Sequence, residues 1–230
     1  MIESRIKVLL VDDQPLLRMG FRLILEGEED LTVVGEASDG AEAARQVEAL
    51  QPDVVLMDVR MPTMDGIEAT RRIADLSSEA RVIILTTFDL DEYAFSGLQA
   101  GASAFLLKDV APAELVQAVR VVASGDAVVA PRVTQRLLET YVRGASVPGG
   151  PQTPPRDPLL DGLTPRETEI LTTIAEGLSN AEIAHKFFLS EATVKTHVRR
   201  ILSKLQLRDR VQVVVYAYET GLVVPSNPDY

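Results

Sequence analysis

Five short apolar runs recur through the first half of the chain, at 6–11, 31–37, 54–57, 82–85 and 104–107. Each is apolar nearly throughout, as a strand buried on both faces must be. Between them lie segments with apolar residues at helical spacing, such as Leu16, Met19, Phe21, Leu23 and Leu25, or Leu115, Val119 and Val122. Strands alternating with helices imply parallel pairing through crossover connections. The pattern predicts an α/β, doubly wound, five-stranded parallel sheet, followed by a further helix over 131–143.

The last third of the chain shows no strand pattern, and its helix starts are legible. Thr164-Pro165-Arg166-Glu167 and Ser179-Asn180-Ala181-Glu182 both have the form of a capping box, the first with proline at the opening helical position. Ser190 opens a third helix that keeps Val194, Val198, Ile201, Leu202 and Leu205 on one face, and 211–218 gives a fourth. Helices at 179–186 and 190–205 meet across a very short turn around Phe188-Leu189, which is helix-turn-helix spacing. A stretch rich in Pro and Gly at 147–158 cannot build a core and reads as an exposed linker. The expected organisation is an α/β domain over 1–125, a linker helix over 126–146, the linker at 147–158 and an all-α four-helix domain over 159–225.

Charge sharpens this division. The chain of 230 residues carries a net charge of −11, which on average argues against nucleic acid as a partner. Residues 1–146 hold 14 Lys and Arg against 24 Asp and Glu, whereas 159–230 hold 8 against 9. Within 195–210 the count reverses: Lys195, Arg199, Arg200, Lys204, Arg208 and Arg210 face only Asp209. A basic cluster thus sits inside an acidic protein. The absence of cysteine excludes disulfides and thiolate chemistry and suits a cytoplasmic setting. The N-terminus has no signal-peptide pattern, and charged residues interrupt every candidate membrane span.

Ligands of an open parallel sheet bind beyond the carboxyl ends of its strands. The residues that follow the apolar runs are Asp12-Asp13, Asp58, Thr86 and Lys108. Clustered carboxylates require a cation, and an all-oxygen donor set suits Mg²⁺. A carboxylate can also act as a nucleophile toward phosphorus, with an ammonium and a hydroxyl stabilising the transferring group. Asp58 stands alone at its strand end and is expected to be exposed there. The adjacent pair Asp12-Asp13 suits a metal platform.

Val11-Asp12-Asp13, the segment from Met57-Asp58 through Met61-Pro62 to Asp65-Gly66, Leu85-Thr86 and Leu107-Lys108-Asp109 resemble the receiver domain of bacterial two-component response regulators. The likeness implies a flavodoxin-like fold and phosphoryl transfer from a sensor histidine kinase to Asp58. It implies that Asp13, Asp58 and the Arg60 backbone carbonyl bind Mg²⁺, with Asp12 acting mainly through water. Thr86 and the aromatic position, here Phe105, form the implied switch. Phe105 lacks the hydroxyl that relatives often carry, so packing alone sets its inward state.

On the third helix of the last domain, the apolar stripe leaves Lys195, Thr196, Arg199 and Arg200 opposite, a face suited to the major groove. His197 has no second ligand at useful spacing and reads as a packing or phosphate-contacting residue, and His185 as surface. The motifs around Thr164, Ser179 and Ser190 to Val198 resemble the LuxR-type DNA-binding domain, and the whole chain resembles a NarL/FixJ-type regulator. That likeness places base reading on Lys195, Thr196 and Arg199, and phosphate contacts on Ser179, Thr193, His197, Arg200 and Lys204. It further implies double-stranded DNA and the transcription machinery as partners, a homodimer on activation through 211–218, and a regulator in place of an enzyme. Gln206 stands where relatives commonly carry glycine, so an altered helix end is expected there. Two rivals remain: a regulator whose receiver serves only for interactions, without phosphorylation, and a phosphatase of the haloacid-dehalogenase type. The contiguous Asp12-Asp13 pair disfavours the phosphatase.

Overall fold

In the computed structural model, which describes residues 5–76, 79–86, 96–125 and 157–223, the five apolar runs pair into one sheet. Its strands are β1 (Ile6–Val11), β2 (Leu31–Ala37), β3 (Val54–Asp58), β4 (Arg81–Thr86) and β5 (Ala104–Leu107). The order is β2-β1-β3-β4-β5, and every pairing is parallel. Helices α1 (Pro15–Glu26), α2 (Gly40–Leu50) and α3 (Gly66–Asp75) supply the crossovers among the described residues, and α4 (Pro112–Ala123) follows β5 and packs back against the sheet. Val8, Leu10, Leu56, Ile83 and Leu85 of the sheet pack against Leu25, Leu115 and Val119 of the helices. Strands buried from both sides have no polar face, which is why they read as unbroken apolar runs.

Helix α1 departs from the simple amphipathic reading. Phe21 and Leu25 are buried, but Leu16, Met19 and Leu23 face solvent, 78%, 58% and 69% exposed. These three form a second apolar stripe, at positions i, i+3 and i+7, on the face turned away from the sheet.

The chain divides into two compact units, Met1–Ala127 and Val128–Tyr230. The second begins, among the described residues, with a 3-10 turn at Pro158–Gly162, which falls where linker was expected to end. It continues through α5 (Pro165–Ala175), α6 (Asn180–Phe187), α7 (Glu191–Leu205) and α8 (Arg210–Glu219). Both capping boxes form, with Thr164 and Glu167, and Ser179 and Glu182, exchanging side-chain and backbone hydrogen bonds. The Ser190 side chain accepts from the Thr193 N–H, and Asp209 caps α8 in the same way. Each cap satisfies donors that a helix start otherwise leaves open. The helix expected over 131–143, and all of the expected linker except residues 157–158, lie outside the described residues.

Gln206 corrects the expectation about the end of α7. It adopts the left-handed conformation itself (φ 56°, ψ 35°), and the Leu207 N–H donates to the Leu202 carbonyl at 2.9 Å. The left-handed cap forms without glycine, at a strain of about 1 kcal/mol for a residue with a Cβ. Phe188 ends α6 in the same conformation, with φ 55° and ψ 44°.

Candidate functional sites

Sheet register assembles the first site. Asp58 pairs with Leu85 and Thr86 with Leu107, so the ends of β3, β4 and β5 lie side by side. The Val59 N–H donates to the Leu85 carbonyl, and the Lys108 N–H to the Thr86 carbonyl at 2.8 Å. Asp12 and Asp13 leave β1, the neighbour of β3, at the point where the strand order reverses. One carboxylate oxygen from each of Asp12, Asp13 and Asp58 lies within 4.8 Å of the others. Lys108 Nζ sits 2.7 Å from Asp12 Oδ2 and 2.9 Å from Asp58 Oδ2. The expected strand-end residues thus converge.

Asp58 is not exposed, contrary to expectation. It is 5% exposed, because all five residues of β3 are covered and the Lys108 chain lies over its carboxylate. Burial raises the Asp58 carboxyl above the ordinary carboxylate range, against the pull of Lys108 and of the Arg60 N–H. Burial pulls the Lys108 ammonium down, but the carboxylates of Asp12 and Asp58 outweigh it and hold it above its usual value. Lys108 therefore supplies the positive charge that lets the buried acids coexist. The three clustered carboxylates fit a hard divalent cation, since all donors are oxygen.

Two supports were not legible beforehand. Arg18 of α1 donates to the Asp12 carbonyl at 2.5 Å and to Glu36 Oε2 at 3.0 Å, bracing the acidic turn against β2. Arg22 also pairs with Glu36, and the two arginines hold that carboxyl below its usual range. Gly66 is the second. A Cβ at this position would lie 1.9 Å from the Asp58 backbone oxygen, so only glycine lets α3 begin against the strand end.

Thr86 is buried at the end of β4. Phe105, the expected switch aromatic, is buried with its ring inward. A Cβ added at Gly97 would stand 2.6 Å from both the Phe105 ring and Ile84 Cδ1, so the ring occupies space that this glycine leaves open.

The second unit presents the expected basic face. Val194, Val198, Ile201 and Leu205 of α7 are buried, whereas Lys195, Thr196, Arg199 and Arg200 are exposed. The Thr196 hydroxyl donates to its own helix at the Ala192 carbonyl, and the Thr193 and Ser190 hydroxyls lie 2.8 Å apart. Ser179 is engaged with Glu182 as a cap. His197 is half-buried, and its Nδ1 has no hydrogen-bond partner among the described residues; His185 is exposed. Helix α8 buries Val211, Val213, Val214, Val215, Ala217 and Tyr218 within its own unit, so Gln212, Tyr216 and Glu219 make up its accessible edge.

Lys204 has an unforeseen partner. Its Nζ lies 2.6 Å from Oε2 of Glu167, the buried acid of the α5 capping box. Burial alone would raise the Glu167 carboxyl, but Lys204 and the Thr164 donors overturn that and hold it at about 2. A folded value below the unfolded one gives stability that is complete above about pH 4.5 and lost as pH falls toward 2. Glu167→Gln should therefore lower stability at pH 7 by about 2 kcal/mol, allowing for solvent screening at the partly exposed Lys204. In urea denaturation followed by circular dichroism, the deficit of the variant should shrink between pH 5 and pH 2. A deficit that stays constant to pH 2 would contradict the ion pair.

Among the described residues, no helix is long and apolar enough to cross a membrane. Comparison with known proteins finds a family match in each unit. Residues 8–120 match the response regulator receiver domain family, and residues 161–217 match the luxR family of bacterial regulatory proteins. The transcriptional regulatory protein YxjL of Bacillus subtilis (strain 168) is 43% identical over 97% of this chain and 100% of its own length. LiaR of the same organism is 42% identical over 95% of this chain and 99% of its own. The crystal structure of the response regulator ChrA of a heme-sensing two-component system is 38% identical, covers 96% of this chain and 100% of its own, and has a TM-score of 0.51. The chain belongs to the family of two-component response regulators that join a receiver domain to a LuxR-type DNA-binding domain.

Proposed function

We propose that Asp58 is the phosphoacceptor and that its phosphorylation controls how α7 reads DNA. The observation that carries this reading is the meeting of Asp12, Asp13, Asp58 and Lys108 at one strand-end crevice. An Asp58 carboxylate oxygen attacks phosphorus, the bond from phosphorus to the donor histidine nitrogen breaks, and that nitrogen takes up a proton. Lys108 neutralises charge on the transferring group, and Thr86 hydrogen-bonds one of its oxygens. Asp13, Asp58 and the Arg60 carbonyl would hold Mg²⁺, which supplies further charge neutralisation when bound; Asp12 assists through water. The apolar stripe Leu16, Met19 and Leu23 begins three residues after Asp13 and supports a protein donor, a sensor histidine kinase.

Lys195, Thr196 and Arg199 read base edges, and Ser179, Thr193, His197, Arg200 and Lys204 contact phosphates. Activated chains pair and recruit the transcription machinery. Acetyl phosphate with Mg²⁺ should add one phosphoryl group by mass spectrometry and tighten binding to a selected DNA duplex; no added mass would sink the reading. Lys195→Ala and Arg199→Ala should each weaken specific binding by roughly 1–3 kcal/mol and relax base preference. Arg200→Ala should weaken binding to all sequences alike and flatten its salt dependence. Equal losses on specific and random duplexes for the first two would contradict base reading.

A further inference from the structure

The turn between α6 and α7 carries Phe188, which at 96% exposed is the most exposed large apolar side chain among the described residues. Its backbone is left-handed (φ 55°), a conformation that glycine adopts freely and a bulky aromatic does not. The conformation closes the end of α6, where the Phe188 N–H donates to the His185 carbonyl, while the side chain itself is left in solvent. Its neighbour behaves differently. Phe187 lies under the Arg166 guanidinium, 4.2 Å from ring centre to Cζ, and Arg166 also donates to the Phe187 carbonyl at 3.1 Å. The Leu189 N–H closes the turn on the Ala184 carbonyl at 2.9 Å. The turn is thus clamped from α5 and from within, which braces the backbone from which the Phe188 ring projects.

That place adjoins the DNA interface. Phe188 lies two residues before Ser190, the cap of α7, and the N-terminal residues of a recognition helix are the ones that enter the major groove. The main apolar group that B-DNA offers in that groove is the thymine 5-methyl, which phenylalanine can contact. A basic helix with one solvent-exposed ring on a braced turn at its entrance suits a site with a thymine beside the bases that Lys195, Thr196 and Arg199 read.

We propose that Phe188 is a further specificity-determining residue, whose ring packs on the 5-methyl of a thymine flanking the recognition-helix contacts. This rests on the assignment of α7 as the base-reading helix, so the test carries its own control. A duplex is selected from random sequence with the phosphorylated full-length chain, and each thymine is then replaced in turn by uracil, which lacks only the methyl. The wild type should lose about three- to fivefold in affinity at one thymine, the worth of one buried methyl. Phe188→Gly, which relieves the left-handed strain and should melt no lower than the wild type, should bind the thymine duplex at least threefold more weakly and ignore that uracil. Phe188→Leu should keep part of the preference.

Wild-type indifference to uracil at every thymine overturns the proposal, as does a Phe188→Gly chain that keeps the thymine preference. Unchanged DNA binding by Phe188→Gly with loss of transcription in vitro also overturns it, in favour of a protein partner. Arg199→Ala on the same duplex separates the two readings. If Arg199→Ala binds normally, the recognition-helix assignment has failed; if it is impaired while Phe188→Gly is not, only the role of Phe188 has failed.

Discussion

Asp58→Ala and Asp58→Asn chains take up no phosphoryl group from acetyl phosphate and Mg²⁺, while their melting temperatures stay close to that of the wild type. The first half of this expectation follows from chemistry: among the described residues, no other carboxylate stands at a strand end beside both Thr86 and Lys108. The second follows from charge. Removing a buried partner is severe when it strands an unpaired ion, but here Lys108 keeps Asp12 at 2.7 Å. The substitution also deletes the carboxyl that burial already disfavours as an anion. Intact-mass measurement after labelling, paired with a thermal melt, reads both halves. One phosphoryl group gained at the wild-type rate would move the acceptor elsewhere; a collapse of the melt would mean that Asp58 holds the fold together.

Gly66→Ala should be the most damaging single methyl in the receiver. The added Cβ meets main-chain oxygen at 1.9 Å, and a strand end cannot swing aside as a flexible side chain can. The Gly66 N–H already donates to the Val59 carbonyl at 2.8 Å, so α3 cannot retreat without breaking that bond. A loss of about 3 kcal/mol, or about 10 °C in melting temperature, is expected, with phosphorylation impaired because Asp58 itself is displaced. Gly20→Ala is the matched control. It adds the same methyl to exposed space in α1, where nothing lies within 4 Å, and should raise stability by about 0.5–1 kcal/mol. Equal effects from the two substitutions would show that the close approach at Asp58 is not what constrains Gly66.

How much of this was readable from the residues alone depends on whether the signal is local. Strands β1, β2 and β5 match their apolar runs end to end, whereas β3 and β4 run on through the polar residues Asp58, Arg81 and Thr86 that hydrophobicity alone leaves out. The capping boxes at Thr164 and Ser179 were equally plain, since a cap and its partner lie three residues apart. Failures came where the partner is remote. Nothing near Lys204 points to Glu167, 37 residues earlier, and nothing near Arg18 points to the Asp12 carbonyl or Glu36. Burial of Asp58 was hidden for the same reason, since its cover arrives from β5. In α1, periodicity placed Leu16, Met19 and Leu23 with Phe21 and Leu25, although only the last two meet the sheet. Hydrophobicity records that a side chain is apolar, not which neighbour removes it from water.

Strand order also bears on synthesis. β1 leaves the ribosome first yet ends between β2 and β3, and β4 and β5 are then laid in sequence along one edge. Until residues 104–107 emerge, the far side of β4 offers an unpaired edge of Arg81-Val-Ile-Ile-Leu-Thr86, rich in β-branched residues and nearly free of charge. Such an edge invites pairing with other nascent chains. The strand that covers it is followed at once by Lys108, the ammonium that neutralises Asp12 and Asp58. Protection from aggregation and electrostatic completion of the acidic crevice therefore arrive within a few residues of one another during translation.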